Sequence, residues 1–203
     1  MTSNESRDPI ADHLLTPQNA ALIVIDYQPS QIAAVQSMDQ DALRKNITST
    51  VKLAKIFGLP IVHSTVNVST GRSKGTVPEL AELLTESPPI DRTTINAWED
   101  DTFLAAVRGT GRRKLVLCAL WTEMCMAFPA LDALSEGYDV YPVVDAIAGT
   151  SVEAHRAGLE RVMHAGGHPI TWVSFAGELQ RDWARPTAED VVRIVRGEPA
   201  PNG

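Results

Sequence analysis

The sequence predicts an α/β protein in which helices cover both faces of a mostly parallel sheet. Five short apolar runs are typical of strands that are buried on both faces. Helical patterns fill the gaps between these runs, and no run is joined to the next by a two-residue hairpin turn. Such alternation of buried strands with helices is the pattern of a parallel sheet with short, right-handed connections.

The predicted strands are short apolar segments rich in Val, Ile and Leu, which favours β-structure. They are AALIVID (20–26), LPIVHSTV (59–66), KLVLCAL (114–120), YDVYPVVD (138–145) and PITWVSF (169–175). The predicted helices are DALRKNITSTVKLAKIF (41–57), DTFLAAVRGTG (101–111), AFPALDALSE (127–136), VEAHRAGLERVMHA (152–165) and TAEDVVRIVRG (187–197). The longest irregular stretch, 67–99, contains one short helical piece, and a connection of that length is usually functional.

The composition is that of one domain with a sizeable core. We expect residues 1–15 to form a flexible arm, 16–197 the domain and 198–203 a frayed tail. The formal net charge of −7 argues against nucleic acid or an anionic membrane as a partner. Two cysteines are too few for a disulfide scaffold, and the N-terminus carries no apolar signal segment, so we expect a cytoplasmic protein.

Reactive residues gather where ligands bind in parallel sheets, outside the carboxyl ends of the strands. Asp26 ends the first predicted strand, and Cys125 lies just past the third. The 67–99 stretch leaves the carboxyl end of the second. We therefore expect these three segments to meet at one edge of the sheet.

The two thiols have different predicted surroundings. Cys118 lies in the middle of an apolar strand, where a thiol behaves as a small hydrophobe. Cys125 falls in the first turn of a helix that Thr122 could cap, where backbone N–H groups and the helix dipole would stabilise a thiolate. Pro129 removes one backbone bond of that helix. The alternative is that Cys125 only packs beneath the helix.

A thiol nucleophile also needs a base. The five histidines are each more consistent with a structural or surface position, and they are His13, His63, His155, His164 and His168. Asp26 is then the best candidate base, with the alternative that it caps the turn after its strand.

Four segments together resemble the isochorismatase-like cysteine hydrolase superfamily, most closely its YcaC-type branch. They are ALIVIDYQPSQ (21–31), DRTTINAWED (91–100), the stretch from GRRKLVLC to DAIAGTS (111–151) and WVSFAGELQRDWAR (172–185). WTEMC matches the nucleophile motif of that superfamily, T-[DE]-x-C after a buried strand. The resemblance implies a three-layer α/β/α sandwich of Rossmann type and a catalytic Asp, Lys and Cys.

Carried over residue by residue, the resemblance implies that Asp26 is the catalytic carboxylate and Cys125 the nucleophile. Arg92 stands where the family has its lysine, and Lys74 on the same long stretch is a second candidate for that cation. The resemblance also implies a cis peptide bond between Leu120 and Trp121, which would turn the Trp121 N–H towards an oxyanion hole. Asn96 and Trp98 are candidates for the wall of the substrate pocket, and packing is their alternative role.

The function implied is hydrolysis of a C–N bond in a small-molecule amide, through a thioester formed on the cysteine. The alternatives are a non-catalytic member that binds a small molecule and, with less support, hydrolysis of the vinyl ether of isochorismate. No cofactor and no catalytic metal are expected, because TVNVSTGRSKG (65–75) has neither the His nor the Asp of the nicotinamidase zinc site. The family resemblance implies a homo-oligomer.

Overall fold

The structure, a computed structural model, describes residues 8–198. A five-stranded, fully parallel sheet forms the centre of this part of the chain. The strands are β1 (Ala20–Ile25), β2 (Ile61–Val66), β3 (Ile90–Arg92), β4 (Lys114–Ala119) and β5 (Asp139–Pro142). Their order across the sheet is β3-β2-β1-β4-β5. The chain therefore starts in the middle, winds to one edge, and returns to build the other half.

Helices lie on both faces of this sheet. They are α1 (Pro29–Ala33), α2 (Gln40–Ile56), α3 (Pro78–Ala81), α4 (Asp101–Gly109), α5 (Ala127–Ser135), α6 (Val152–His164), α7 (Trp172–Gln180) and α8 (Ala188–Arg196). The side chains of β1 alternate between two apolar cores, one shared with α2, α7 and α8 and the other with α4, α5 and α6. The fold is thus a three-layer α/β/α sandwich, as expected from the sequence.

The segment 169–175 is a correction to the predicted strands. Only Ile170 makes a bridge to the sheet, and α7 begins at Trp172. The Thr171 side chain accepts a hydrogen bond from the Ser174 N–H, and the Asp145 carboxylate accepts one from the Trp172 N–H. These two caps satisfy the first amides of a helix, and they outweigh the β-preference of the Thr, Trp and Val residues.

The sheet still has five strands, because β3, a three-residue strand that the sequence pattern did not predict, takes the place of the segment 169–175 in the count. It pairs with the carboxyl half of β2, so that Val66 lies opposite Arg92. This pairing has a functional consequence, because it places Arg92, within the long 67–99 stretch, at the carboxyl edge of the sheet, one strand away from β1.

The N-terminal residues within the described range are attached to the sheet. The buried ammonium group of Lys114 donates to the carbonyl groups of Asp12, His13 and Leu14, at 2.7, 2.8 and 3.0 Å. Residues 1–7 of the predicted arm and 199–203 of the predicted tail lie outside the described residues. Among the helices of residues 8–198, none has the length and apolar content to cross a membrane.

Candidate active site

Asp26 lies at the carboxyl end of β1 and is fully buried. Its φ of 63° is in the left-handed region, which Asp adopts more readily than most residues and which is common at functional sites. The carboxylate accepts two parallel hydrogen bonds from Arg92, at 3.0 Å from Nη1 to Oδ1 and 2.8 Å from Nη2 to Oδ2. Both side chains have no solvent exposure, so this is a buried, bidentate ion pair.

Arg92 reaches Asp26 because β3 ends beside β2, one strand away from β1. Its guanidinium also donates to the carbonyl groups of Thr65 and Ile95, which fixes its plane. The other candidate cation, Lys74, is exposed. The structure therefore places Arg92, and not Lys74, at the carboxylate.

Asp91 does not pair with its neighbour Arg92. Its carboxylate accepts hydrogen bonds from Thr65, Val68 and Ser69, at the start of the long loop after β2. Partial burial raises the pKa of Asp91, but these hydrogen bonds outweigh it and lower the pKa to about 2. Asp91 thus fixes the start of the loop after β2, whereas Arg92 pairs with the buried Asp26 carboxylate.

Cys125 lies in a five-residue π-helical turn, Thr122–Met126, between β4 and α5. The peptide bond between Leu120 and Trp121 is cis. Thr122 does not cap the helix as the sequence suggested, because Trp121 holds the N-cap position and Thr122 is the first residue of the turn. Its hydroxyl lies instead 2.8 Å from Nδ1 of His155 on α6. Pro129, inside α5, has no N–H to continue the ladder back to the cysteine, in agreement with an irregular helix start.

The Cys125 thiol lies beside the Asp26 carboxylate and the Trp121 backbone N–H, close enough that each of these groups affects the pKa of the thiol. Burial and the neighbouring Asp26 charge raise the pKa of this thiol to about 12, despite the opposing effect of Arg92. The expected lowering of the thiol pKa is therefore wrong for the resting protein. Burial also raises the pKa of Asp26, while the Arg92 and Cys125 hydrogen bonds lower it.

The raised pKa values of Cys125 and Asp26 concern a single proton that the thiol and the carboxylate can exchange. The thiol holds the proton at rest, and a carboxylate with a raised pKa is a better acceptor for it than an ordinary aspartate. Cys118 differs, since it is fully buried and burial raises the pKa of its thiol well above the ordinary value. Cys125 keeps 9% of its surface exposed, which gives it contact with solvent that Cys118 lacks.

The Asn96 amide and the Trp98 indole N–H bond to α5 and to the residue that follows it. The Asn96 amide donates to Asp132 at 2.7 Å, and the Trp98 indole N–H donates to Glu136 at 2.8 Å. The Trp98 ring is 7% exposed and packs edge-to-face against Phe103. This geometry favours the packing alternative for both residues, and their role in substrate binding stays a prediction.

Gln28 is a residue of the site that the sequence did not single out. Its buried amide accepts from the Val66 N–H and donates to Ser73 Oγ and to the carbonyl groups of Val66 and Lys74. One side chain, two residues after Asp26, thus ties the long loop to the end of β1. The sequence gives no sign of such a role, because most glutamines lie on protein surfaces and nothing around Gln28 marks it as buried.

The nucleophile turn packs against α6 through Gly158. A Cβ at this position would lie 2.7 Å from Glu123 Cα and 2.9 Å from the Thr122 carbonyl oxygen. Because these are backbone atoms, we expect Gly158→Ala to lower the free energy of unfolding by about 1–3 kcal/mol, as overpacking does. Urea denaturation measures the change.

Gly177 in α7 is the matched control, because a Cβ there would meet nothing within 4 Å. Gly177→Ala is expected to stabilise the protein by about 0.5–1 kcal/mol, the usual gain from replacing a glycine inside a helix. If Gly158→Ala stabilised the protein equally, the close packing of the turn against α6 would be refuted.

Other features of the described residues do not compete with this site. No group of three or more His, Cys, Asp or Glu side chains within residues 8–198 is arranged to hold a metal ion. A cavity of about 610 Å³ is lined by residues such as Asp12, Lys114 and Asp139. It lies at the amino ends of β4 and β5, away from the carboxyl edge where Asp26 and Cys125 meet.

A family model described as the isochorismatase domain matches residues 20–174, about three quarters of the chain. The chain belongs to the isochorismatase family. The probable hydrolase YcaC of Escherichia coli (strain K12) is 38% identical over 171 residues, which are 83% of this chain and 81% of the relative. The match establishes a place in a hydrolase family, and within it a likeness to YcaC.

Two solved YcaC structures have the same fold. YcaC from Pseudomonas aeruginosa, with hexane-2,5-diol and covalent acrylamide, superposes with a TM-score of 0.87 at 33% identity, covering 92% of each chain. The E. coli YcaC gene product, described as an octameric hydrolase of unknown specificity, gives a TM-score of 0.83 at 32% identity. That superposition covers 92% of this chain and 96% of the E. coli protein.

Proposed function

We propose that this protein hydrolyses a C–N bond in a small-molecule amide, with Cys125 as nucleophile, Asp26 as acid and base, and Arg92 as the cation that holds Asp26. The observation that carries the proposal is the buried Arg92–Asp26 ion pair at the carboxyl edge of the sheet, with the Cys125 thiol beside its carboxylate. A thiol, a carboxylate with a raised pKa and a fixed guanidinium are the parts that covalent acyl transfer requires.

The first half of the reaction forms a thioester. The Cys125 sulfur attacks the amide carbon as its proton passes to Asp26, and the carbonyl oxygen becomes an oxyanion. Backbone N–H groups of Trp121 and Cys125 donate to that oxyanion. When the C–N bond breaks, protonated Asp26 gives its proton to the leaving nitrogen, and the amine departs.

The second half uses water. Asp26 takes a proton from the water, whose oxygen attacks the thioester carbon, and the C–S bond breaks to release the carboxylic acid. The proton on Asp26 then returns to the Cys125 sulfur, which restores the resting site. Arg92 cannot act as the proton carrier, because a guanidinium stays charged in proteins, so we assign it the role of orienting the carboxylate.

The P. aeruginosa relative supports the choice of a nucleophile. Its structure contains covalent acrylamide, which is both a small amide and an electrophile that thiols attack. In this chain the Trp121 backbone N–H lowers the pKa of the Cys125 thiol, so a donor lies close to the atom that would attack. Both observations favour a reactive sulfur at this position.

Thiol alkylation tests the assignment of the nucleophile. We expect iodoacetamide at pH 8–9 to label Cys125 before Cys118, because only Cys125 has any exposure. With a thiol pKa of about 12, the labelling rate is expected to rise about tenfold per pH unit between pH 7 and 10, as the thiolate fraction does. Peptide mapping by mass spectrometry at a series of pH values measures both.

Cys118→Ser is the control and is expected to leave the labelling rate unchanged. Faster labelling of Cys118 than of Cys125 would remove the basis for the proposed reaction. If no amide or ester were turned over while a small molecule still bound, the protein would instead be a non-catalytic binder.

We also propose that the chain assembles with copies of itself. The E. coli relative is an octamer, and this chain exposes large apolar side chains. Trp183, in the segment shared with the YcaC branch, is 63% exposed, and Val173 and Met163 are each 45% exposed. Apolar side chains of this size are typical of residues that an interface covers.

A further inference from the structure

The turn that carries Cys125 is only irregularly joined to the helix that follows it, through the Ala127 N–H, which donates to the carbonyl groups of Thr122 and Met124. Pro129 provides no N–H for the carbonyl of Cys125, and the turn from Thr122 to Met126 is π-helical rather than α-helical. A nucleophile and its oxyanion donors must nevertheless be fixed to a fraction of an ångström. Contacts from a second element therefore add to the positioning of this turn.

Those contacts come from α6 and the loop before it. The Thr122 N–H donates to the Ala148 carbonyl at 2.9 Å, and Glu123 accepts from the N–H and hydroxyl of Thr150 at 3.0 and 2.7 Å. The fully buried Thr122 hydroxyl lies 2.8 Å from Nδ1 of His155, which is half-buried on α6. His155 thus bonds to Thr122, the residue that directly follows the cis peptide bond. Thr122 is three positions before Cys125.

We propose that His155 is a positioning residue, which acts through Thr122 to hold the Trp121 and Cys125 N–H groups where an oxyanion forms. The inference rests on the proposed function, because it assumes that Cys125 attacks a carbonyl group. His155 touches no reacting atom in this scheme. Its contribution is to keep the donors aligned while the substrate passes through the tetrahedral state.

Two reagents separate the position of the donors from the reactivity of the sulfur. Acrylamide accepts the Cys125 sulfur at its β-carbon, and negative charge then develops on its carbonyl oxygen before the α-carbon takes up a proton. Methyl methanethiosulfonate has no carbonyl group, and thiolate attack on it forms a disulfide and releases methanesulfinate. The ratio of the two second-order rate constants, measured in a Cys118→Ser background, reports on the oxyanion donors alone.

We expect His155→Ala to lower this ratio about tenfold, by loosening the donors without changing the thiol. His155→Asn is expected to restore it to within about threefold of the parent, because the Asn amide can occupy the place of Nδ1. His164→Ala is the matched control, since His164 is exposed at the end of the same helix, and it is expected to leave the ratio unchanged. If His155→Ala does not fold, Thr122→Val removes the same hydrogen bond with little change in shape and is expected to give the same fall.

The outcomes distinguish this inference from the proposed function. A ratio in the parent protein no higher than that of N-acetylcysteine would overturn both, because no donor site would exist. A high ratio in the parent that His155→Ala and Thr122→Val leave unchanged would overturn the inference alone. A rate ratio for His155→Asn as low as that for His155→Ala would also overturn the inference, since the effect would then come from lost packing.

Discussion

Turnover of small amides is expected to fall by about 10³-fold or more when Cys125 is replaced by serine. The replacement keeps the shape of the side chain, but it exchanges a thiol for a hydroxyl, which is a far weaker nucleophile and which Asp26 cannot deprotonate to a useful extent. A panel of small amides and esters, assayed for release of amine or alcohol, measures kcat/KM for the parent and the variant.

Cys118→Ser is the matched control for this loss. Its thiol is buried in β4 and meets no part of the proposed site, so kcat/KM is expected to stay within about twofold of the parent. Retention of most of the activity by Cys125→Ser would show that the hydrolysis does not pass through a thioester.

Replacing Arg92 with methionine is expected to destabilise the protein by about 3–5 kcal/mol. The variant leaves the Asp26 carboxylate buried without the guanidinium that neutralises it, and an unpaired buried charge is among the most costly changes in a folded protein. Equilibrium unfolding in urea measures the loss.

Arg108→Met is the comparison, because Arg108 pairs with Glu136 at the surface with 57% and 37% of the two side chains exposed. We expect it to cost less than about 1 kcal/mol. Combining Arg92→Met with Asp26→Asn is expected to recover part of the stability, because the double variant buries no charge. A cost for Arg92→Met no larger than that for Arg108→Met would contradict the buried pair.

The strands that the sequence identified were those buried on both faces. β1 and β4 carry long apolar runs, and β2 and β5 carry shorter segments rich in Ile, Val, Thr and Tyr, which favour strand over helix when turn residues flank them. β3 was not predicted, because only one of its three residues is apolar and its pairing depends on the path of the preceding loop. The segment 169–175 was assigned to a strand because its β-prone residues hid the caps at Thr171 and Asp145, and the latter cap comes from 27 positions earlier in the chain.

The site was only partly accessible from sequence. Asp26 and Cys125 were found by their position at the ends of strands, whereas Arg92 came from the family resemblance alone. The sign of the pKa shift of Cys125 was wrong because helix-end effects can be inferred from sequence, while burial and the approach of the carboxylate cannot. His155 was set aside as structural or surface, because no local pattern links it to Thr122, 33 positions earlier.

The pairing of Cys125 with Asp26 has a consequence for how the protein survives oxidants. Peroxides attack thiolates rather than thiols, and a pKa of about 12 leaves roughly one sulfur in 10⁵ ionised at pH 7. Many cysteine nucleophiles stay ionised at rest and are exposed to conversion into sulfenic and sulfinic acids. In the proposed reaction the sulfur gains its charge only while a carbonyl carbon is present to receive it, so we expect molecules without substrate to resist oxidative inactivation.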